Sequence, residues 1–171
     1  MSRYEEPRYT VVQSQGNIEI RDYAPMIVAE TEVAGERKDA INRGFRLIAG
    51  YIFGGNPPKQ KIAMTAPVIQ QPAGGKWKVR FVMPASYSLE DLPAPDNPAV
   101  RLHPIAAGRF AAIRFSGLSS DDNLGRHRDL LLNFLKERGL AAAADPIMAF
   151  YNPPWTLPFL RRNEVLIEIQ S

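Results

Sequence analysis

The chain contains no cysteine, which excludes structural disulfides and any thiolate bond to a metal or a haem iron. It contains only two histidines, His103 and His127; either can serve as a ligand, but neither has a second candidate ligand nearby. No apolar stretch approaches the ~18 residues needed to span a bilayer as a helix. The first residues, Met1 to Pro7, carry acids early and lack the apolar core of a signal peptide. A cytoplasmic location with no transmembrane segment is the resulting expectation. Runs of five or more Lys or Arg are missing, and basic residues do not interleave with aromatics, so no nucleic-acid partner is expected. The net charge of +3 and a pI near 9.3 are mildly basic and favour anionic partners in general. Nucleotide-binding loops of the G-x-G-x-x-G and Walker types, the G-x-S-x-G elbow and the H-E-x-x-H pair are all absent.

What remains is an ordinary globular composition, 45% hydrophobic and 23% charged over 171 residues. That length fits a single domain, in which roughly 70% of the unfolded surface can be buried. Thr10 to Gln13 and Asn17 to Arg21 flank Gly16 and read as a hairpin. Met26 to Val33 is a β-branched run, and the period then changes from 2 to about 3.6. Between Arg37 and Phe53, Ile41, Phe45, Ile48 and Ile52 fall on one helix face, ended by Gly54-Gly55 and Asn56-Pro57-Pro58. Lys61 to Ile69 and Trp77 to Met83 read as strands. The order then repeats: a strand from Arg109 to Gly117, a helix from Asp121 to Arg138, and strands from Pro146 to Tyr151 and Glu164 to Ile169. Two ββαββ halves, about 10–85 and 99–170, are joined by the proline-rich segment Ser86 to Pro98. They bury their apolar faces most simply by pairing into one sheet or distorted barrel with both helices outside. An α+β fold is expected.

Two segments carry more apolar surface than such packing requires. On the first helix a second stripe, Ala40, Gly44, Leu47 and Tyr51, lies about 80–120° round from the core face, at 100° per residue. Arg43 borders it and Arg46 lies further round. This shoulder suits a flat apolar ligand that bears carboxylates, and equally suits packing under a loop or against another subunit. The last hairpin loop, Tyr151 to Glu164, holds Trp155, Leu157, Phe159 and Leu160 among three prolines, followed by the cationic pair Arg161-Arg162. Loops seldom carry so many large apolar residues unless they fold over something, and the plain reading is that some of these cap the open end of the barrel. His127 sits beside the apolar face of the second helix, where helix packing is its plain role, and His103 precedes Pro104, which places it at a strand start facing solvent. No paired acid and base is present, so catalysis is not the expected role; Glu164 is the acid an enzyme would use.

Four segments, in order, resemble the signature segments of the SOUL haem-binding family: Ile18 to Tyr23, Gly44 to Asn56, Lys61 to Val68 and Arg162 to Val165. Phe81 to Pro84 and Ile113 to Gly117 fall between them. The resemblance runs from about Tyr4 to Ile169. It implies a distorted antiparallel β-barrel flanked by two α-helices, with two pseudo-symmetric halves. It also implies binding of haem or a related tetrapyrrole in a shallow groove between the first helix and the last hairpin loop, as a carrier, buffer or sensor. Carried over by position, the contacts are Arg43, Leu47 and Tyr51 with Trp155, Leu157, Phe159 and Leu160; the adjacent Arg161 suits a propionate. The fold is also similar to effector-binding domains of bacterial multidrug-responsive regulators, which leaves a module for other flat apolar molecules, or an enzyme acting on them, as the alternative. Some vertebrate members carry a proposed axial histidine where this chain has Asp22, so haem is expected to bind weakly and without a strong axial ligand.

Overall fold

A computed structural model describes residues 4–153 and 155–170. The chain runs β1 (Tyr9–Gln15), β2 (Ile18–Tyr23), β3 (Met26–Val33), α1 (Arg37–Ile52), β4 (Val68–Ala73), β5 (Lys76–Val82), β6 (Arg101–Ile105), β7 (Gly108–Phe115), α2 (Asp121–Glu137), β8 (Ile147–Phe150), a single 3-10 turn at Pro158–Leu160, and β9 (Asn163–Glu168). The strand pairs within each unit are antiparallel. Together with two helices they make an α+β fold. Among the described residues no helix is long and apolar enough to cross a membrane.

The chain forms two compact units, and neither is one continuous stretch. One comprises Pro25–Ala106 with the chain up to Pro7; the other comprises Arg8–Ala24 with the chain from Ala107 onward. The first orders its strands β4-β5-β3-β6 and the second β1-β2-β7-β9-β8. The strand that precedes each repeat in sequence is therefore used by the other unit: β2 pairs with β7, and β6 pairs with β3. Registers agree with the repeat read from sequence. Met26 faces Ile105 as Gly108 faces Tyr23, and Glu30 faces Arg101 as Ala112 faces Glu19.

In the second unit α2 behaves as its periodicity requires. Leu124, Leu131, Phe134 and Leu135 are buried against Ile20, Ile113, Val165 and Ile167. The Ser120 hydroxyl accepts from the Asn123 amide at 3.2 Å, and Asp121 and Asp122 in the first turn complement the helix dipole.

The first unit corrects three expectations. The buried face of α1 is Arg37, Ala40, Gly44, Ile48, Tyr51 and Ile52, whereas Phe45 is 38% exposed and Ile41 only half-buried. The helix is rotated towards its small residues because those permit the closest approach to β5. A Cβ on Gly44 would stand 2.6 Å from Cγ2 of Val79, so the backbone of α1 lies directly against that side chain. Phe45, displaced to the flank, tilts over Phe81 with ring centroids 5.2 Å apart. The stripe read as an exposed shoulder is thus largely core. The expected strand at Lys61 to Ile69 begins only at Val68. Ahead of it Ile62 is buried and donates its amide to the Ile52 carbonyl at 2.8 Å, so the chain follows the end of α1, and Pro67 has no amide to offer a ladder. The proline-rich segment is not a bare linker either. Its Leu92 is buried in the cluster under α1, as is Val100 just beyond it, and the Tyr51 hydroxyl donates to the Pro93 carbonyl at 2.6 Å.

Gly44→Ala should therefore force α1 off β5 and destabilise the protein by about 1–3 kcal/mol, the usual cost of an inserted methyl in a packed core. Ala is the better helix former, so a stabilised variant in chemical denaturation would show that the close approach is absent.

Candidate functional site

The last hairpin loop is held in one shape by its own backbone. At its neck the Tyr151 amide donates to the Arg162 carbonyl at 3.2 Å, and the Arg162 amide to the Asn152 carboxamide oxygen at 2.5 Å. Within it, amides of Thr156, Leu160 and Arg161 donate to the carbonyls of Pro153, Leu157 and Pro158 at 2.9–3.1 Å, and the Arg161 guanidinium closes on the Thr156 carbonyl at 2.8 Å. From outside, Gly117 donates its amide to Pro158 at 2.9 Å and accepts from the Asn163 side chain at 3.0 Å. Gly117 does this at φ +97, a conformation side-chain-bearing residues rarely adopt. On this frame Trp155 is 83% exposed, Phe159 72%, Leu160 61% and Leu157 55%. A loop so well tied down that still leaves its largest apolar groups in water is a preformed apolar surface.

The neck is fixed by a buried ionic hub. Glu164, fully buried at the start of β9, receives both terminal nitrogens of the equally buried Arg21, at 2.7 and 2.9 Å. Its carboxylate also accepts from the Tyr151 hydroxyl at 3.1 Å, from Arg162 at 3.1 Å and from Arg114 at 3.3 Å. Arg21 in turn donates to the Tyr23 hydroxyl and to Glu19, both at 2.9 Å. Arg162 lies 3.8 Å over the Tyr151 ring, so the two neck residues of the loop grip each other and the same carboxylate. Burial would raise the Glu164 pKa, but the guanidinium groups of Arg21 and Arg162 outweigh it and hold the acid below its ordinary range. An ionised carboxylate surrounded by donors is not placed to act as a proton donor. Burial pushes the Tyr23 hydroxyl up to about 12 and that of Tyr151 higher still.

The other sequence-singled residues fall in different settings. In the first unit Tyr51 is 2% exposed, with its hydroxyl on the Pro93 carbonyl. Leu47 is half-buried at the edge of the cluster under α1, and Arg43 is exposed, with its guanidinium on the Ala34 carbonyl. Asp22, half-exposed on β2, takes both oxygens to Arg109 at 2.7 and 2.9 Å. His127 stacks on Phe115 with ring centroids 3.8 Å apart and pairs its Nδ1 with the Asn123 carbonyl at 2.7 Å, as a packing histidine does. His103 is exposed in the middle of β6 rather than at a strand start. Among the described residues no group of three or more His, Asp or Glu is placed to hold a metal ion.

A family model described as SOUL heme-binding protein matches residues 4–168. The chain belongs to the SOUL haem-binding family. Heme-binding protein 2 of Mus musculus is 30% identical over 160 residues, covering 88% of this chain and 77% of that protein. Among solved structures, the EcmrR C-terminal domain aligns with a TM-score of 0.68 at 10% identity, over 95% of this chain and 98% of that one. A hydrolase from Listeria innocua aligns with a TM-score of 0.63 at 12% identity, over 93% and 94%. At such identities the likeness is one of fold. Two of the segments that carry the SOUL resemblance, Ile18 to Tyr23 and Arg162 to Val165, are the segments that build the ionic hub. Sequence reading passed over it, although strand alternation places Glu19, Arg21 and Tyr23 on one face of β2.

Glu164→Gln removes the counter-charge of a guanidinium that has no water to turn to. It should cost about 3–5 kcal/mol, as breaking one side of a buried pair does, and an unchanged melting temperature would contradict the hub. The two tyrosines have folded-state pKa values above their unfolded value of 10. Their stabilisation is complete below pH 10 and is lost as pH rises towards 12. Stability measured against pH should fall across that window, and less steeply in Tyr23→Phe.

Proposed function

We propose that this protein binds haem or a related tetrapyrrole weakly and reversibly on the apolar surface of the Trp155–Leu160 loop, as a carrier or buffer. The observation that supports this reading most is the loop itself: four large apolar side chains, 55–83% exposed, on a frame closed by hydrogen bonds, in a chain of a haem-binding family. Trp155 and Phe159 supply ring surface for the macrocycle face, Leu157 and Leu160 extend it, and Arg161 orients a propionate. Leu47 and Arg43 on α1 belong to the other compact unit and are left out of this proposal. Tyr51, being core, acts by holding α1 in place.

The chain offers iron little. Asp22 is engaged by Arg109, and the His127 Nδ1 by a backbone carbonyl. Without an iron bond, covering roughly 300 Å² of porphyrin yields about 7 kcal/mol, against an association cost of ~4–15 kcal/mol. Exposed Arg–propionate pairs add only ~0.2–1 kcal/mol each. Micromolar affinity is the upper end of that balance, which suits transient carriage.

Haem and metal-free protoporphyrin, titrated side by side, should bind within tenfold of each other, since the macrocycle and not the iron is recognised. The haem spectrum should be unchanged in His103→Ala and His127→Ala. Trp155→Ala with Phe159→Ala should weaken both ligands at least tenfold, about 1.4 kcal/mol, with no loss of thermal stability because both side chains lie in water. Undiminished binding in that variant would overturn the assignment.

A further inference from the structure

The tip of the same loop has a property that ligand binding does not require. From Asn152 to Leu160 the chain carries no charged residue, and the next two positions are Arg161 and Arg162. Trp155, Phe159, Leu157 and Leu160 project from the loop, and Leu118, one residue beyond the Gly117 that anchors it, is 57% exposed. From the exposures, the four loop side chains leave about 500 Å² of apolar surface in water. That is at the upper end of the largest patch on ordinary monomers, about 300–600 Å². It is well below the roughly 800 Å² that each partner contributes to a standard protein interface. A stable second copy seated on the tip is therefore disfavoured by area alone. A rigid tip of tryptophan, phenylalanine and leucine with the Arg161 cation beside it, Arg162 being turned inward to Glu164, is instead the composition that enters the boundary of a bilayer, with rings at headgroup depth and a cation near anionic headgroups.

We propose that the Trp155–Leu160 loop docks this protein on an anionic lipid bilayer surface. The docking is peripheral, since no helix among the described residues is built to cross a membrane. The loop inserts without refolding, because the hydrogen bonds at its neck, across its interior and to Gly117 are made within the protein itself. No energy is spent in ordering it at the surface, and no backbone amide among those named has to find a partner in the headgroup layer. The basic balance of the chain, +3 overall, acts in the same direction. Asp122 and Arg126 line the same recess beside Gly117 and Leu118, and their charges offset each other.

This inference shares its residues with the tetrapyrrole reading but does not rest on it, and the test uses the ligand-free full-length protein. Sedimentation with vesicles of phosphatidylcholine containing about a third phosphatidylglycerol should carry the protein down, at least several-fold better than phosphatidylcholine alone. In a Trp77→Phe background, where Trp155 is the one tryptophan left, its emission should shift to the blue on adding the mixed vesicles. Trp155→Ser with Phe159→Ser should lose at least tenfold in vesicle binding while its melting temperature stays within about a degree of the parent. Failure of the parent to sediment, or full binding by the double variant, would overturn the proposal. Equal binding to both vesicle types would overturn its anionic assignment. Concentration-dependent dimers that the double variant abolishes would assign the tip to a second copy instead. Porphyrin titration of the same variant reports separately on the function proposed above, so the two readings can fail independently.

Discussion

A carboxylate and a guanidinium that no water reaches, Glu164 and Arg21, fix the geometry on which the candidate site depends. Either charge alone in that position would be costly, and together they are tolerable only because nearly every remaining lone pair and N–H is also used. Tyr151, Arg162 and Arg114 complete the shell of Glu164, while Tyr23 and Glu19 complete that of Arg21. The consequence reaches beyond β2 and β9. Tyr151 and Arg162 are the two stems of the last hairpin loop, so satisfying the buried acid also sets the angle at which the loop leaves the strands. The loop can then afford to expose tryptophan and phenylalanine, because its shape is decided elsewhere.

Much of the fold was legible because periodicity and punctuation are local. The switch from period 2 to 3.6 after Val33, the glycines closing α1, and the recurrence of strand, helix, strand, strand could all be read along the chain. The exchange of β2 and β6 between units could not, since pairing β2 with β7 rather than with its sequence neighbour β3 leaves no mark on either strand's composition. The face of α1 was misjudged for a related reason. Counting apolar side chains favours Ile41 and Phe45, but helix packing is governed by how near the backbones come, and Gly44 against Val79 decides that. Small residues weigh little on any hydropathy scale and much in a contact.

The site was legible in part. The loop stood out by holding four large apolar residues where loops usually hold polar ones; that they stay 55–83% exposed, rather than folding over a neighbour or capping a barrel end, could not be read from the sequence. The hub beneath it stayed hidden because charged residues in strands are read by default as solvated, and their burial depends on partners 143 residues apart in sequence. Leu47 and Tyr51, adjacent on one helical stripe, turn out to have different fates: one at the edge of the apolar cluster, the other beneath it with its hydroxyl on a carbonyl. A stripe is a useful unit for predicting a face, but not for telling its rim from its interior.

The central claim is that the loop is a preformed apolar platform on which a tetrapyrrole rests. An amide-resolved magnetic resonance titration with metal-free protoporphyrin tests it most directly, because it reports on the free loop and on the bound one in a single series. In the free protein the amides of Thr156, Leu160 and Arg161 should exchange slowly with solvent. On titration the Trp155 indole and the signals of Leu157 to Arg161 should shift together, while those round Arg138 at the far end of α2 stay still. Rapid exchange of the loop amides before ligand is added, or shifts centred on Arg138 and on Gln13 and Gln15, to whose carboxamides it donates, would contradict it.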